Sequence, residues 1–81
     1  MTDRISTPAS RFEIGNDTDG VIEFMRDKGS AFGSARRRAK DTAIVHYIFD
    51  RMARRGQPEL WAVFPNGRMH IKRFKPREDT A

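Results

Sequence analysis

Residues 34–55 read SARRRAKDTAIVHYIFDRMARR, and no proline or glycine interrupts them until Gly56. Ser34 can cap a helix, and from there the pattern predicts one long helix of about 21 residues. At about 100° per residue, Ile44, Val45, Ile48, Phe49 and Met52 fall within an arc of about 140°, which makes a core face for the C-terminal two-thirds. Carried backwards, that arc meets Arg37, Arg38 and Asp41. The first turns are therefore expected to project beyond the core.

Upstream, Asn16 to Asp19 supplies several capping oxygens ahead of Val21, Ile22, Phe24 and Met25, whose i, i+1, i+3, i+4 spacing makes one apolar stripe. This predicts a first helix from about Asp19 to Lys28, stopped by Gly29. Ser30 to Ser34 reads as a connector anchored by Phe32. Arg11 to Ile14 alternates polar and apolar residues and suits a short strand. Downstream, Asn66-Gly67 lies between two β-rich runs and predicts a hairpin with a two-residue turn. In that register Phe64 opposes Met69, Val63 opposes His70, Ala62 opposes Ile71 and Trp61 opposes Lys72. Leu60, Phe64, Met69 and Ile71 would then pack on Ile44, Ile48, Phe49 and Met52. The expected fold is α+β: a small single domain over residues 11–75 with a short N-terminal strand, two helices, the second one long, and a C-terminal β-hairpin. Residues 1–10 and 76–81 are polar, contain prolines and read as tails.

Composition narrows the function classes. The chain has 81 residues, 37% hydrophobic and 33% charged, so the core is small and a large enzyme cleft is not expected. Its net charge is +5 and its pI about 10.4. The charge is uneven: residues 1–33 sum to −2, residues 34–77 to +9. An acidic partner would meet the second half of the chain. The chain has no cysteine, hence no disulfide or thiolate chemistry. Apolar runs are far below the roughly 18 residues of a membrane span, and the polar opening residues lack the pattern of a signal peptide. A cytoplasmic protein with no membrane association is expected.

On the side of the long helix away from its apolar arc, Arg36, Lys40, Ala43, Tyr47, Arg51 and Arg54 recur at intervals of three and four. Cations spaced one per turn can follow phosphates, with guanidinium forks making bidentate contacts and Tyr47 offering a stacking face. The same stripe also fits the solvated side of an amphipathic helix. Arg36, Arg37, Arg38 and Lys40 place four cations in five residues. At a helix N-terminus they would oppose the helix dipole, a cost that a bound anion would relieve. On the outer face of the hairpin, Trp61 lies near Arg68, His70 and Lys72. Interleaved aromatics and cations suit nucleic-acid contact, whereas burial of Trp61 under another element suits plain packing. His46 and His70 are the only histidines, and they form no recognisable metal or catalytic set. Asp17-Thr18-Asp19-Gly20 does not continue into a calcium loop. No enzymatic activity and no cofactor are expected.

The order strand, short helix, longer helix is similar to that of ribbon-helix-helix proteins, and a helix followed by a basic hairpin resembles a winged-helix fragment with Asn66-Gly67 at the wing tip. Both likenesses are of pattern alone. The first expectation for function is nucleic-acid binding, with duplex DNA favoured, through Arg36, Arg37, Arg38, Lys40, Tyr47, Arg51 and Arg54 together with Trp61, Arg68, His70 and Lys72. The alternative is a small regulatory protein, an inhibitor or adaptor, that docks on an acidic protein surface. So small a core also makes a homodimer physically convenient.

Overall fold

Ile44, Val45, His46, Tyr47, Ile48 and Phe49 form six consecutive residues that are β-branched, aromatic or imidazole-bearing, the composition of a half-buried strand. The structure, a computed structural model, describes residues 10–77 and makes this run a strand. Five strands and one helix follow the order β1 (Phe12–Asn16), β2 (Gly20–Met25), α1 (Lys28–Thr42), β3 (His46–Asp50), β4 (Pro58–Val63) and β5 (Met69–Phe74). They form a single antiparallel sheet ordered β2-β1-β3-β4-β5. The helix connects β2 to β3 and lies across one face. The expected tails fall largely on residues 1–9 and 78–81, outside the described residues.

The expectation of two helices with the second one long is overturned at both places. The predicted long helix stops at Thr42, because Ala43 takes a left-handed conformation (φ 61°, ψ 27°) and its N–H bonds to the Ala39 carbonyl at 2.8 Å. Beyond it His46, Ile48 and Asp50 point to the helix side and are buried, while Tyr47 and Phe49 point the other way. The apolar arc drawn over Ile44 to Met52 fitted a period of 3.6, but the same residues fit a period of two, and sheet pairing on both sides decides for the strand. At its other end the helix starts earlier than Ser34. Asp27 caps it, its carboxylate accepting from the Ser30 amide at 3.1 Å, and Gly29 and Gly33 lie within it on exposed positions. Ala31, Ser34, Ala35 and Ala39 form its buried stripe. These small side chains bring the helix backbone close to the sheet.

The predicted first helix is strand β2. Its apolar spacing resembled a helical stripe because the β1–β2 register shifts between Ile14 and Gly15, so that Glu23 opposes Ile14 but Val21 opposes Gly15. The oxygens expected to cap that helix instead close the β1–β2 turn: Asn16 Oδ1 accepts from the amides of Thr18 and Asp19 at 2.9 and 2.6 Å.

The expected C-terminal hairpin packed on a long helix is also corrected. β4 and β5 are the last two strands of the one sheet, and β4 pairs with β3. Their register differs by one residue from expectation: Val63 opposes Met69, Ala62 opposes His70 and Trp61 opposes Ile71. The Phe64 amide bonds to Arg68 O and the Gly67 amide to Phe64 O, both at 2.8 Å, so Pro65, Asn66 and Gly67 make a three-residue loop. Pro65 suits the first corner position of a type I turn and Gly67, at φ 92°, supplies the left-handed residue that follows it. A one-residue slip turns one strand over relative to its partner, and here β4 is reversed while Met69 of β5 keeps its side. Trp61 and Val63 therefore join Phe12, Ile14 and Ile48 beneath Ala31, Ala35 and Ala39 in the core, with Met25, Phe32 and Met69 at its margin. Met52 and Ile71, expected in the core, are exposed. This strand order is that of neither a ribbon-helix-helix protein nor a winged helix.

Ion pairs fasten the layers at their edges. Arg11 makes two bonds to the buried Asp50, at 2.8 and 2.9 Å, joining the start of β1 to the end of β3. Glu23 on β2 accepts from Ser34 Oγ at 2.6 Å and from Arg38 Nε at 3.0 Å, which ties the helix to the sheet. Arg73 reaches Glu59 at 2.7 Å across β5 and β4.

Candidate functional site

The cationic run on the helix divides by direction. Arg38 turns towards the sheet and is held by Glu23. Arg36, Arg37 and Lys40 stay on the outer side of the helix. Together with Gly33 they line one wall of an open groove of about 680 Å³, and Pro65, Asn66 and Gly67 of the β4–β5 loop line the other. Gly33 has open space where a side chain would stand. None of the three cations makes a side-chain hydrogen bond or ion pair among the described residues, whereas Arg11, Arg38, Arg51 and Arg73 each have an acidic partner. Loop and helix thus bring together residues about thirty positions apart in sequence.

The helix dipole acts on these cations in the opposite sense to the sequence expectation. Arg36 to Lys40 occupy the C-terminal half of the helix, with Lys40 in its last turn, where the negative end of the dipole favours cations. The helix N-terminus is filled by Asp27, whose carboxyl is held below its ordinary value chiefly by the Ser30 amide. Glu23 is likewise held below the usual carboxylate range, mainly by the Ser34 hydroxyl, then by Arg38 and, through charge without contact, by Arg37. Arg11 is raised above its ordinary value by its hydrogen bond to Asp50.

The remaining sequence-predicted residues lie elsewhere. Tyr47 and Arg51 belong to the face of the sheet opposite the helix, so the predicted stripe from Arg36 to Arg54 is not continuous. Arg54 is exposed in the β3–β4 connection. Trp61 is a core residue, edge-on to Phe32 with ring centroids 5.2 Å apart and with Lys28 Nζ 5.8 Å from its ring. Arg68 lies just after the loop, and its amide bonds to Asn66 Oδ1 at 2.9 Å. His70 packs edge-on to Phe64 with centroids 5.2 Å apart, and Lys72 is exposed on β5.

The open sheet face itself escapes a reading of the sequence. Glu13 pairs with both Phe24 and Phe49, and Gly15 with both Val21 and Tyr47, so all six share that side. The alternation of Tyr47 and Phe49 with His46, Ile48 and Asp50 was the available signal. Among the described residues, no group of three or more His, Cys, Asp or Glu is placed to hold a metal ion, and no helix is long and apolar enough to cross a membrane. His46 is buried between Asn16 Nδ2 at 3.2 Å and the Ile44 carbonyl at 3.1 Å. Because Asn16 Oδ1 already accepts two amides, Asn16 donates to His46 Nε2, and Nδ1 carries the proton given to Ile44. Comparison with protein-family models, with curated proteins and with solved structures finds no match to this chain.

Proposed function

We propose that the protein is a non-catalytic nucleic-acid-binding module that grips the sugar–phosphate backbone in the groove between the helix and the β4–β5 loop. The observation that supports this is the collection of three cations, Arg36, Arg37 and Lys40, without an ion pair among the described residues along one wall of an open groove. Arginine forks match phosphate oxygens bidentately, and Lys40 contributes a point charge. The opposite wall has no side chain at Gly67 and a small amide at Asn66, so a backbone can approach it closely. An overall charge of +5 favours encounter with a polyanion.

The test separates these cations from those that hold the fold. Replacing Arg36, Arg37 and Lys40 together with alanine leaves the ion pairs of Arg11, Arg38, Arg51 and Arg73 intact, so the melting temperature is expected to change little. Affinity for labelled duplex and single-stranded DNA is expected to fall alike, and the dependence of binding on salt to become shallower, for each phosphate no longer neutralised, by about 0.9 in log–log slope on the duplex and about 0.7 on the single strand. Unchanged affinity in the triple variant would sink this reading. Binding to polyglutamate but not to DNA would favour an acidic protein surface as the partner.

A further inference from the structure

The face of the sheet opposite the helix has no layer over it among the described residues, and its composition is not that of a simply solvated surface. Phe24 is 49% exposed and Val21 53%, and Tyr47, Phe49 and Leu60 are half-buried. Two guanidinium groups lie over its rings, Arg51 at 5.7 Å from the centre of Phe24 and Arg73 at 5.9 Å from that of Phe49. Beside the β1–β2 turn is a hollow of about 220 Å³ whose lining includes Glu13, Asp17, Val21, Tyr47 and Phe49, with Gly15 between them. A Cβ at Gly15 would run into the backbone carbonyl of Gly20, so no other residue type fits this position without moving the β1–β2 turn.

We infer that this face is a stacking platform for the unpaired bases of a single-stranded nucleic acid, with one base seated in the hollow against Tyr47 and Phe49. Flat apolar rings bordered by guanidinium planes accept any base by its π-face, and the cost of solvating exposed aromatics is relieved when a base covers them. Glu13, held by Arg51 at 3.5 Å, is the carboxylate at the rim that can accept from the N–H edge of a base. Position along the sheet joins this platform to the groove. Gly15, Tyr47, Ala62 and His70 form one continuous register row. The row crosses the sheet at the end that carries the β1–β2 turn, the β4–β5 loop and the exit of the helix into β3. A flexible strand leaving the hollow rounds that end and meets Arg36, Arg37 and Lys40 with its phosphates; a stiff duplex cannot. The inference rests on the groove being a nucleic-acid site and narrows its ligand to single strands.

The test compares three labelled probes on the full chain: an oligothymidine, an abasic strand of the same length, and a duplex. The wild type is expected to bind oligothymidine at least about 5-fold more tightly than the abasic strand, since each stacked base contributes about 1–3 kcal/mol. Tyr47→Leu, which keeps apolar bulk and removes the aromatic face, is expected to abolish that preference and leave duplex affinity unchanged. Equal affinity of the wild type for the two strands, or a preference that survives Tyr47→Leu, would overturn the platform while salt-dependent binding of all probes left the groove standing. Absence of binding to every probe would remove the groove reading as well. Should Tyr47→Leu fail to fold, the wild-type comparison of oligothymidine with the abasic strand decides alone.

Discussion

At the scale of single residues, Glu23 shows how a polar group under the helix can serve the fold and the candidate site at once. It draws Arg38 and Ser34 inwards, which fixes the rotation of the helix and leaves Arg36, Arg37 and Lys40 facing out. Its carboxyl is more acidic in the fold than in the unfolded chain because the Ser34 hydroxyl and Arg38 favour the ionised form. Stability from this source is fully present above the unfolded value, near pH 4.3, and is lost as pH falls through the lower folded value. Glu23→Gln is therefore expected to melt lower than wild type at about pH 6 and to lose less of its own melting temperature on acidification to about pH 3. Parallel pH dependences in the two proteins would show that Glu23 is not coupled in this way. The basic run is plain in the sequence as four cations in five residues, but its division into one structural and three outward cations is not. That division depends on Glu23, which sits on a strand in a stretch whose spacing reads as a helix.

At the scale of elements, residues 28–50 hold most of the difference between the sequence expectation and the fold. Gly29 and Gly33 are punctuation in a sequence reading, since glycine disfavours helix interiors by roughly 0.5–1 kcal/mol relative to alanine. The helix includes both because Ala31, Ser34, Ala35 and Ala39 make a close-packed stripe on the sheet and Asp27 caps its start, and this tertiary packing outweighs the local preference. Conversely the uninterrupted run to Arg55 is cut at Ala43, where the chain turns in a left-handed conformation that alanine adopts at some cost. The β-branched and aromatic content of residues 44–49 was the legible sign of a strand, and it was masked by an apolar spacing that fits both periods. Likewise Asn66-Gly67 marks a turn, but Pro65 inside the loop shifts the pairing by one residue, which turns β4 over while Met69 of β5 keeps its expected side. A direct check of the helix assignment is Gly33→Ala. With open space around that position, the substitution is expected to raise stability by about 0.5–1 kcal/mol in chemical denaturation. A neutral or destabilised variant would place Gly33 outside a helix.

For the whole molecule, the arrangement separates charges by task. Four arginines, at positions 11, 38, 51 and 73, are paired with acids and hold strands and helix together. Three cations on the helix have no ion pair among the described residues and line a groove, and on the far side of the sheet Tyr47 lies at the same end, with Phe49 and Phe24 further along. One layer of helix on a five-stranded sheet makes this possible, because the single helix covers only one face. What composition shows from the outset is the charge excess of the second half of the chain. The aromatic platform is not visible there, because it requires knowing which alternate residues of β1, β2 and β3 fall on one side.

The most direct measurement is a titration of the wild-type protein with labelled single-stranded and duplex DNA at several salt concentrations. Binding is expected at low salt and should weaken steadily as salt rises, with a log–log slope of about −2 to −3 if the three groove cations each displace one counterion. The single strand is expected to bind more tightly than the duplex at every salt concentration. No binding to either probe at low salt, or binding that salt does not affect, would contradict the assignment of the groove to nucleic-acid phosphates.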